Sequence, residues 1–417
     1  MTALFDAAAV AALGDDRLDW RFKGLPASWC GRTPAEICAT RPSLFDGATG
    51  PVCVLRADAL THNVATMALW CRDAGVQLAP HAKTDMAPQL FARQLDAGAC
   101  GITAATIGQV RIYRAFGVRD VILANELVDP AGLRWLAMEL AAHPDFRLLC
   151  WVDSVRAVEI MAAELAGAGR PVEVCVEVGM AGGRTGCRSA QAVDEVARAA
   201  AACPQLRLVG VAGYEAALGH DIGPGGLAPV TDYLTEMRAA VLRLAAVFEI
   251  DDIVVTAGGS TYFDAVADVL TSWPAGLSVR TIVRSGCYLT HDDGLYARTS
   301  PLTRPGAQPA RLKPALSVWA QVISRPEPDL AVLTMGRRDV SFDQDLPVPY
   351  GLSESRVTKL HDQHAFLRVG RSDRPRVEVG SWLQFGISHP CTTFDKWQLI
   401  PMLDADDRVA ELIRTFF

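Results

Sequence analysis

The chain has 417 residues, 50% of them hydrophobic, and carries a formal net charge of −7 with an isoelectric point of about 5.7. A chain of this length can bury a large core and form two domains. The negative charge, without a run of Lys or Arg, argues against a nucleic-acid or anionic-membrane partner, and no stretch reaches the roughly 18 uncharged apolar residues of a membrane span.

The opening residues and the cysteines indicate the compartment. The start, MTALFDAAAVAALGDDRLDW, has no basic region before its apolar patch, which Asp6 interrupts, so it does not read as a secretory signal. The 11 cysteines form no C-x-x-C pair and lie mostly among apolar residues. Free thiols of this kind suit a reducing environment, and we expect a cytoplasmic protein.

Between about residues 75 and 285, eight short apolar runs alternate with amphipathic segments of helical length. Some of these segments carry helix-end signals, such as the Ser that opens and the Gly that closes SVRAVEIMAAELAGAG. Repeated βα units predict a (β/α)₈ barrel. The eight runs are VQLAP (76–80), GITAAT (101–106), VILAN (121–125), RLLCWVD (147–153), VEVCVEV (172–178), LRLVGVAGYE (206–215), IVVTAGG (253–259) and RTIVRSG (280–286).

The segments outside the barrel pattern predict a second domain. The run PVCVLR (51–56) would be a ninth strand, so we assign it to pairing with that domain. After a Pro-rich predicted linker, PLTRPGAQPARLKP (301–314), short alternating segments predict an all-β fold. They are ALSVWAQVISR (315–325), LAVLTMG (330–336), HAFLRVG (364–370), RVEVGSWLQFG (376–386) and WQLIPML (397–403). The predicted divisions are an N-terminal extension (1–45), the barrel (46–300) and a smaller C-terminal β-domain (301–417).

Two glycine turns lie where a (β/α)₈ barrel commonly binds phosphate, in the loops after its last two strands. They are AGGSTYF (257–263) and RSGCYLTHDDG (284–294). Gly258, Gly259 and Gly286 allow an anion to approach the backbone, and Ser260 adds a hydroxyl donor. Either turn taken singly is more typical of ordinary loop structure, and it is their joint position that indicates a phosphate site.

Lys83, in VQLAPHAKTD (76–85), comes just after the first predicted barrel strand, as the two glycine turns come just after the last two. A lysine at a strand end is usually a solvated loop residue. The segment EVGMAGGRTG (177–186) follows the fifth strand, and Tyr214 ends the sixth. One barrel mouth would thus hold a lysine, a phosphate site and residues able to surround a flat ring. Together these predict pyridoxal 5'-phosphate held as a Schiff base.

Five segments resemble the D-serine dehydratase and D-threonine aldolase family, fold-type III pyridoxal enzymes related to alanine racemase. They are similar above all to bacterial amino-acid or D-serine deaminases. The resemblance implies an alanine-racemase-type barrel with a β-domain, and a homodimer in which the barrel of one subunit faces the β-domain of the other. The segments are PHAKT (80–84), GGRTG (182–186), AGGST (257–261), SGCY (285–288) and SHPCTTFDKW (388–397).

The resemblance also implies roles for individual residues. Lys83 would carry the cofactor, and either Arg184 or Tyr214 would lie near its ring, with the partner of the ring nitrogen left open. Some relatives continue the lysine motif with Thr-His-Lys, whereas this chain has Thr-Asp-Met at 84–86, which leaves the nearby substrate contacts open. The residues implied to hold the phosphate are Gly258, Gly259, Ser260, Gly286 and Tyr288.

His389 and Cys391 form a candidate metal site in the β-domain. Residues i and i+2 of a strand point the same way, although strand alternation alone also explains the spacing. Imidazole with thiolate favours zinc over magnesium or manganese, with another divalent metal left open, and two protein ligands leave positions free for water or substrate. The His389–Cys391 pair resembles the pair found in the dehydratase branch, whereas the aldolase branch typically has Asp at the second position of the pair. His361 and His364 either border this site or belong to a surface loop.

These features predict a pyridoxal-phosphate- and zinc-dependent dehydratase, an ammonia-lyase that converts D-3-hydroxy amino acids such as D-serine to a 2-oxo acid and ammonia. One alternative is a D-threonine-type aldolase, which gives glycine and an aldehyde. A racemase needs a second base on the opposite face, and no Tyr fits that role. From a different class, a non-catalytic pyridoxal-binding regulator would lack the metal site.

Overall fold

The computed structural model describes residues 3–304 and 311–417, so residues 305–310 of the predicted linker lie outside the described part of the chain. The chain divides into two compact units. The first comprises the residues up to Asp6, Ala68–Lys83 and Gln94–Gly286. The second comprises Ala7–Met67, Thr84–Arg93 and Cys287–Phe417. Among the described helices, none combines the length and apolar character needed to cross a membrane.

The strands and helices are numbered here in chain order. The strands are β1 Val52–Arg56, β2 Gln77–Leu78, β3 Ile102–Ala104, β4 Asp120–Glu126, β5 Arg147–Val152, β6 Val172–Val178, β7 Leu206–Gly213, β8 Asp252–Ala257, β9 Ser278–Val283, β10 Leu316–Glu327, β11 Leu330–Leu333, β12 Val348–Pro349, β13 Arg356–Leu360, β14 Ala365–Arg368, β15 Trp382–Gly386, β16 Leu399–Leu403 and β17 Val409–Arg414. The helices are α1 Ala7–Ala11, α2 Pro34–Cys38, α3 Ala57–Asp73, α4 Pro88–Asp96, α5 Ile107–Ala115, α6 Pro130–Ala142, α7 Val155–Glu164, α8 Ala190–Ala201, α9 Pro224–Leu244, α10 Phe263–Leu270, α11 Leu295–Thr299 and α12 Cys391–Phe394.

The first unit contains a curled sheet of eight parallel strands in the order β2-β9-β8-β7-β6-β5-β4-β3. An isolated parallel bridge between His81 and Thr103 links the two ends of this order. Apolar side chains of the strands fill the interior, among them Ile122, Trp151 and Val254. The eight apolar runs therefore correspond to the eight strands, and the predicted fold class is confirmed.

Polar caps explain where several helices of the first unit begin. The hydroxyls of Thr106, Ser154 and Ser189 accept hydrogen bonds from the third residue of α5, α7 and α8, respectively. Asp129 caps α6, whose first residue is Pro130. These side chains satisfy amide groups that the first turn of a helix leaves without partners. Each helix therefore starts soon after a strand end, which is also where the barrel presents its loops.

The second unit contains a separate sheet in which β13-β14-β11-β10-β1-β16-β17 form the main path. Off this path, β15 pairs with β10 and β12. The run at 51–56 forms β1, which pairs antiparallel with β10 and parallel with β16. Sequence patterns indicated most of these strands but missed β12, β13 and β17. This sheet confirms the predicted β-rich fold of the C-terminal segment.

The N-terminal segment belongs to the second unit from Ala7 onward. The buried side chains of Trp29, Ile37 and Leu44 pack in one apolar cluster with β-strand residues such as Leu399 and Leu403. Helix α2 begins with a capping box between Thr33 and Glu36, which fixes its start and presents Ile37 to the sheet. The segment predicted only as an extension is thus part of a packed core.

Candidate functional site

Lys83 lies just beyond the carboxyl end of β2, in a single 3₁₀ turn over Ala82–Thr84. Its side chain is half-buried. All but one of the predicted cofactor residues likewise follow carboxyl ends of barrel strands, the edge at which barrel enzymes place their sites. They are Lys83 after β2, Arg184 after β6, Tyr214 after β7, Gly258, Gly259 and Ser260 after β8, and Gly286 after β9. The exception, Tyr288, is buried in the second unit.

His81 reveals the electrostatic character of this edge. Its Nδ1 atom is buried and has no hydrogen-bond partner within the described residues. Burial lowers the pKa of the ring well below its usual value. The positive charges of Lys83, Arg284 and Arg184 lower this pKa further. Three cations therefore act on an imidazole whose Nδ1 atom is buried and unpaired in the described part of the chain, an environment that fits an anionic, hydrogen-bonding cofactor.

The two glycine turns are joined to each other. Gly258 has φ +96°, and a Cβ there would lie 2.9 Å from the Val283 side chain, so glycine is required. The Ser285 hydroxyl donates to the carbonyl oxygens of Gly258 and Gly259, at 3.3 and 3.2 Å. The loops after β8 and β9 consequently form one connected surface, as the phosphate prediction requires.

A buried carboxylate occupies two of the amides predicted for phosphate. The N–H of Gly258 donates to Glu215 Oε2 at 2.9 Å, and that of Gly259 donates to Glu215 Oε1 at 2.7 Å. Glu215 is fully buried. These two glycines therefore give the turn its shape, and Ser260 and Gly286 are predicted phosphate residues whose backbone donors this carboxylate does not occupy. No sequence pattern indicates this contact.

Arg184 and Tyr214, both predicted near the cofactor ring, are brought together. The Arg184 guanidinium lies over the Tyr214 ring, 4.4 Å from its centroid. The Tyr233 hydroxyl holds the backbone of this region by accepting from the Tyr214 N–H at 2.9 Å and donating to the Val178 carbonyl at 2.6 Å. Arg184, Tyr214 and Glu177 line one small cavity. The pair thus forms one wall whose orientation the backbone fixes.

Sequence analysis missed Arg284, the residue just after β9. Its side chain is buried, and it donates to Thr256 Oγ1 at 2.6 Å and to the Gly213 carbonyl at 2.8 Å. Burial lowers the pKa of the guanidinium, while Glu215 and Glu177 act in the opposite direction. The sequence signal that could have found it is an arginine that directly follows the apolar residues of the run RTIVRSG (280–286).

A second missed feature is the carboxyl pair of Glu126, the last residue of β4, and Glu177, within β6. Burial is the main cause that raises the pKa of Glu126 to about 8, and the neighbouring Glu177 carboxylate adds to it. Perturbed acids of this kind concentrate at functional sites. Near neutral pH, Glu126 therefore holds a proton at the barrel edge.

In the second unit, His389 and Cys391 lie where β15 passes into α12. The prediction that they share one strand is wrong, because His389 has φ +77° and Cys391 begins the helix. The His389 backbone N–H donates to Asp292 Oδ2 at 2.9 Å, which holds this turn. A turn therefore relates His389 to Cys391, and strand alternation does not.

Asp343, which sequence analysis also missed, orients the imidazole of His389. Its Oδ2 lies 2.5 Å from His389 Nδ1, and its Oδ1 accepts from the Thr392 hydroxyl at 2.6 Å. Although burial opposes them, these hydrogen bonds lower the pKa of Asp343. A carboxylate on one ring nitrogen of a metal-binding histidine is the usual outer partner, and it leaves Nε2 for an ion.

Cys391 lies beside a second thiol. Its Sγ is 3.5 Å from Cys287 Sγ and 3.3 Å from the Thr84 hydroxyl oxygen. Imidazole and thiolate are the donors that zinc prefers, so the chemistry fits a zinc ion. In residues 3–304 and 311–417, no group of three or more His, Cys, Asp or Glu side chains is arranged to hold a metal. His361 and His364 lie in the exposed turn between β13 and β14.

Comparisons with known proteins agree with this architecture. Residues 55–293 match the alanine racemase N-terminal domain family, and residues 315–403 match the putative serine dehydratase domain. The chain is 27% identical over 347 residues to the D-threonine aldolase of Arthrobacter sp, covering 83% of this chain and 86% of that protein. It is 32% identical over 136 residues to the D-threo-3-hydroxyaspartate dehydratase of Delftia sp. (strain HT23), covering 33% of this chain and 35% of that protein.

A solved structure gives the same result. A D-threo-3-hydroxyaspartate dehydratase mutant in the metal-free form aligns with a TM-score of 0.72 and 25% identity, covering 88% of this chain and 97% of that one. The first domain match spans more than half of the chain, and the second follows it along the sequence. The chain therefore belongs to the alanine racemase N-terminal domain family of fold-type III pyridoxal-phosphate enzymes, and it carries the putative serine dehydratase domain as well.

Proposed function

We propose that the protein is a pyridoxal-phosphate- and zinc-dependent dehydratase that converts D-3-hydroxy amino acids, such as D-serine, to a 2-oxo acid and ammonia. The observation that carries the proposal is the pairing of two chemistries in one family member. One is a lysine among cations at the end of a barrel strand, and the other is an imidazole–thiol pair in the β-domain. Zinc and pyridoxal phosphate each require one of these donor sets.

Lys83 is the residue that would carry the cofactor and then, once released, take the substrate α-proton. When bound, the cofactor supplies an electron-accepting ring that stabilises negative charge at the substrate α-carbon. Lys83 can reach that carbon from one side only, so a single enantiomer presents its α-hydrogen correctly. This argument supports selectivity for one enantiomer, and the similarity to a D-threonine aldolase and a D-threo-3-hydroxyaspartate dehydratase supports the D-isomer.

The chain's other groups at this edge would bind and orient. The charges of Arg184 and Arg284, which both act on His81, would attract the phosphate and the substrate carboxylate. Ser260 and Gly286 are the donors left for the phosphate, since Glu215 accepts from the two preceding glycines. We assign Tyr288 to the phosphate as well, on the strength of the family resemblance. The wall of Arg184 and Tyr214 would confine the ring.

In the β-domain, His389 Nε2 and the Cys391 thiolate would hold zinc, with Asp343 fixing the imidazole. As a Lewis acid, the ion would make the substrate 3-hydroxyl a better leaving group. Cys391 favours this reading over the aldolase reading, because the aldolase branch places Asp at that position. The solved dehydratase mutant described as metal-free supports a role for metal in that relative.

An aldolase is the second candidate, and the length of one match favours it. The match to the Arthrobacter D-threonine aldolase covers 83% of this chain, whereas the dehydratase match covers 33%. In an aldolase, the 3-hydroxyl loses its proton and a carbon–carbon bond breaks. The two reactions therefore differ in their products: 2-oxo acid and ammonia, or glycine and aldehyde.

The test is to incubate the zinc-loaded holoenzyme with the D- and L-isomers of serine, threonine and threo-3-hydroxyaspartate. Ammonia, 2-oxo acid, glycine and aldehyde are assayed in the same samples. We expect ammonia and 2-oxo acid from D-isomers only. Glycine and aldehyde as the main products would assign the aldolase activity. A chelated sample should keep its cofactor absorbance and lose turnover, and readded zinc should restore it.

A further inference from the structure

The thiols of Cys287 and Cys391 are separated by a distance that suits a shared metal ion. Their Sγ atoms are 3.5 Å apart, and both residues belong to the second unit. A tetrahedral zinc ion with Zn–S bonds of about 2.3 Å places two thiolates roughly 3.8 Å apart. Binding an ion between these sulfurs thus requires a change of a few tenths of an ångström.

Neighbouring side chains hold the pair in place. The Thr84 hydroxyl oxygen lies 3.3 Å from Cys391 Sγ and 3.8 Å from Cys287 Sγ. Cys287 also packs with Leu295 and Tyr296 in a small apolar cluster that Cys391 contacts. Each sulfur is therefore positioned by contacts from several elements of the second unit.

The proposed zinc site has room for one more protein ligand. Catalytic zinc sites typically use three protein ligands and keep the fourth position for water or substrate, and a Cys₂His set is one known combination. His389 and Cys391 supply two ligands. We propose that Cys287 is the third, so that the ion is held by two thiolates and one imidazole. This assignment rests on the zinc dependence proposed above.

The proposal also identifies which side chain has to move. The described residues contain no preassembled group of three ligands, although the two thiols already lie side by side. His389 is the remaining ligand, and its ring lies beside Tyr296, with 6.5 Å between centroids. Metal binding would bring the imidazole, together with the Asp343 carboxylate bound to its Nδ1, onto the thiol pair.

A third ligand changes the chemistry of the ion. Two thiolates and a neutral imidazole cancel the double positive charge of zinc, and a tetrahedral site then retains a single open position. Only one oxygen of the substrate, the 3-hydroxyl, could bind there at a time. Cys287 would therefore set how strongly and how selectively the ion polarises the leaving group.

X-ray absorption at the zinc edge tests this in the unmodified holoenzyme, where folding of a variant is not at issue. We expect two sulfur ligands at about 2.3 Å. A single sulfur would overturn the assignment of Cys287 while leaving zinc on His389 and Cys391 intact. No sulfur at all would overturn this inference and the proposed His–Cys site together.

Cobalt substitution gives a second test on variants. The charge-transfer absorption between thiolate and cobalt should fall by half in Cys287→Ser and in Cys391→Ser, and stay unchanged in Cys30→Ser, which alters an exposed cysteine. Zinc affinity of Cys287→Ser should fall by at least about tenfold. Full absorption and full zinc affinity in Cys287→Ser, with losses in Cys391→Ser, would refute the third ligand alone.

Discussion

The Oδ2 atom of Asp343 lies 2.5 Å from Nδ1 of His389. This contact sets the direction of the imidazole, so Asp343→Asn should weaken zinc binding by about 10- to 100-fold. Zinc affinity is measured by competition with a chelator that has a known affinity. Asp395→Asn, at an exposed position just after α12, is the matched control. Equal zinc affinity in the two variants would show that Asp343 does not support the ligand.

Lys83 is expected to be the attachment point of the cofactor. Borohydride reduction of the purified, yellow protein should fix the cofactor covalently, and peptide mapping should place it on Lys83. Lys83→Ala should lose roughly 10²- to 10⁴-fold or more in turnover, because it removes the proton-transfer group. Lys359→Ala, on an exposed strand position, should be unaffected. An adduct on any other lysine would refute the assignment of the cofactor site.

Glu215→Gln should loosen the turn at Gly258 and Gly259. A glutamine offers one acceptor oxygen to the two amides that Glu215 now satisfies, and its NH₂ group faces the other. We expect a loss of about 1–3 kcal/mol in the free energy of unfolding and weaker binding of pyridoxal phosphate. Urea unfolding of the cofactor-free protein and cofactor titration measure the two effects. The exposed change Glu236→Gln serves as reference, and identical behaviour of both variants would contradict the prediction.

Glu126 should make stability depend on pH. Its pKa is raised from 4.5 to about 8, mainly by burial, so between these values the folded state keeps a proton that the unfolded state releases. Stability from this group is therefore lost as pH rises from about 4.5 to about 8. Glu126→Gln should remove this component and gain about 1–2 kcal/mol above pH 8, allowing for partial solvent screening.

The measurement for Glu126 is the free energy of unfolding in urea at several pH values, compared between Glu126→Gln and the unmodified protein. Glu159→Gln, on the exposed face of α7, is the control. The free energies of unfolding of Glu126→Gln and of the unmodified protein should match near pH 4 and diverge towards pH 8. Parallel pH profiles for Glu126→Gln and the unmodified protein would show that Glu126 titrates normally.

The barrel strands and their helices could be predicted because they form from residue patterns that are local in the sequence. Each barrel strand is an apolar run next to a helix with its own cap, and this alternation is visible in the sequence. The two-residue strand β12 is too short to show periodicity, whereas β13 and β17 were missed although they are no shorter than strands that were found. The helix at Cys391 was read as strand because H-x-C fits alternation equally well.

Contacts between residues far apart along the chain could not be predicted from the sequence. Nothing near Glu215 shows that its carboxylate binds amides more than forty residues later, and nothing near Asp343 shows that it contacts His389. Lys83, Arg184 and Tyr214 were found because each follows a strand whose end the barrel fold assigns to one edge. Sequence reasoning therefore placed site residues on elements, and the pairing of side chains required the structure.

The packing of the N-terminal segment has a practical consequence for producing the protein. Trp29, Ile37 and Leu44 cover apolar side chains of the second unit's sheet, including Leu399 and Leu403. A version trimmed to begin at residue 46 would expose this face to water, and contiguous exposed apolar surface promotes aggregation. Such a shortened chain would collect in inclusion bodies, so recombinant material and crystallisation trials call for the whole N-terminal segment.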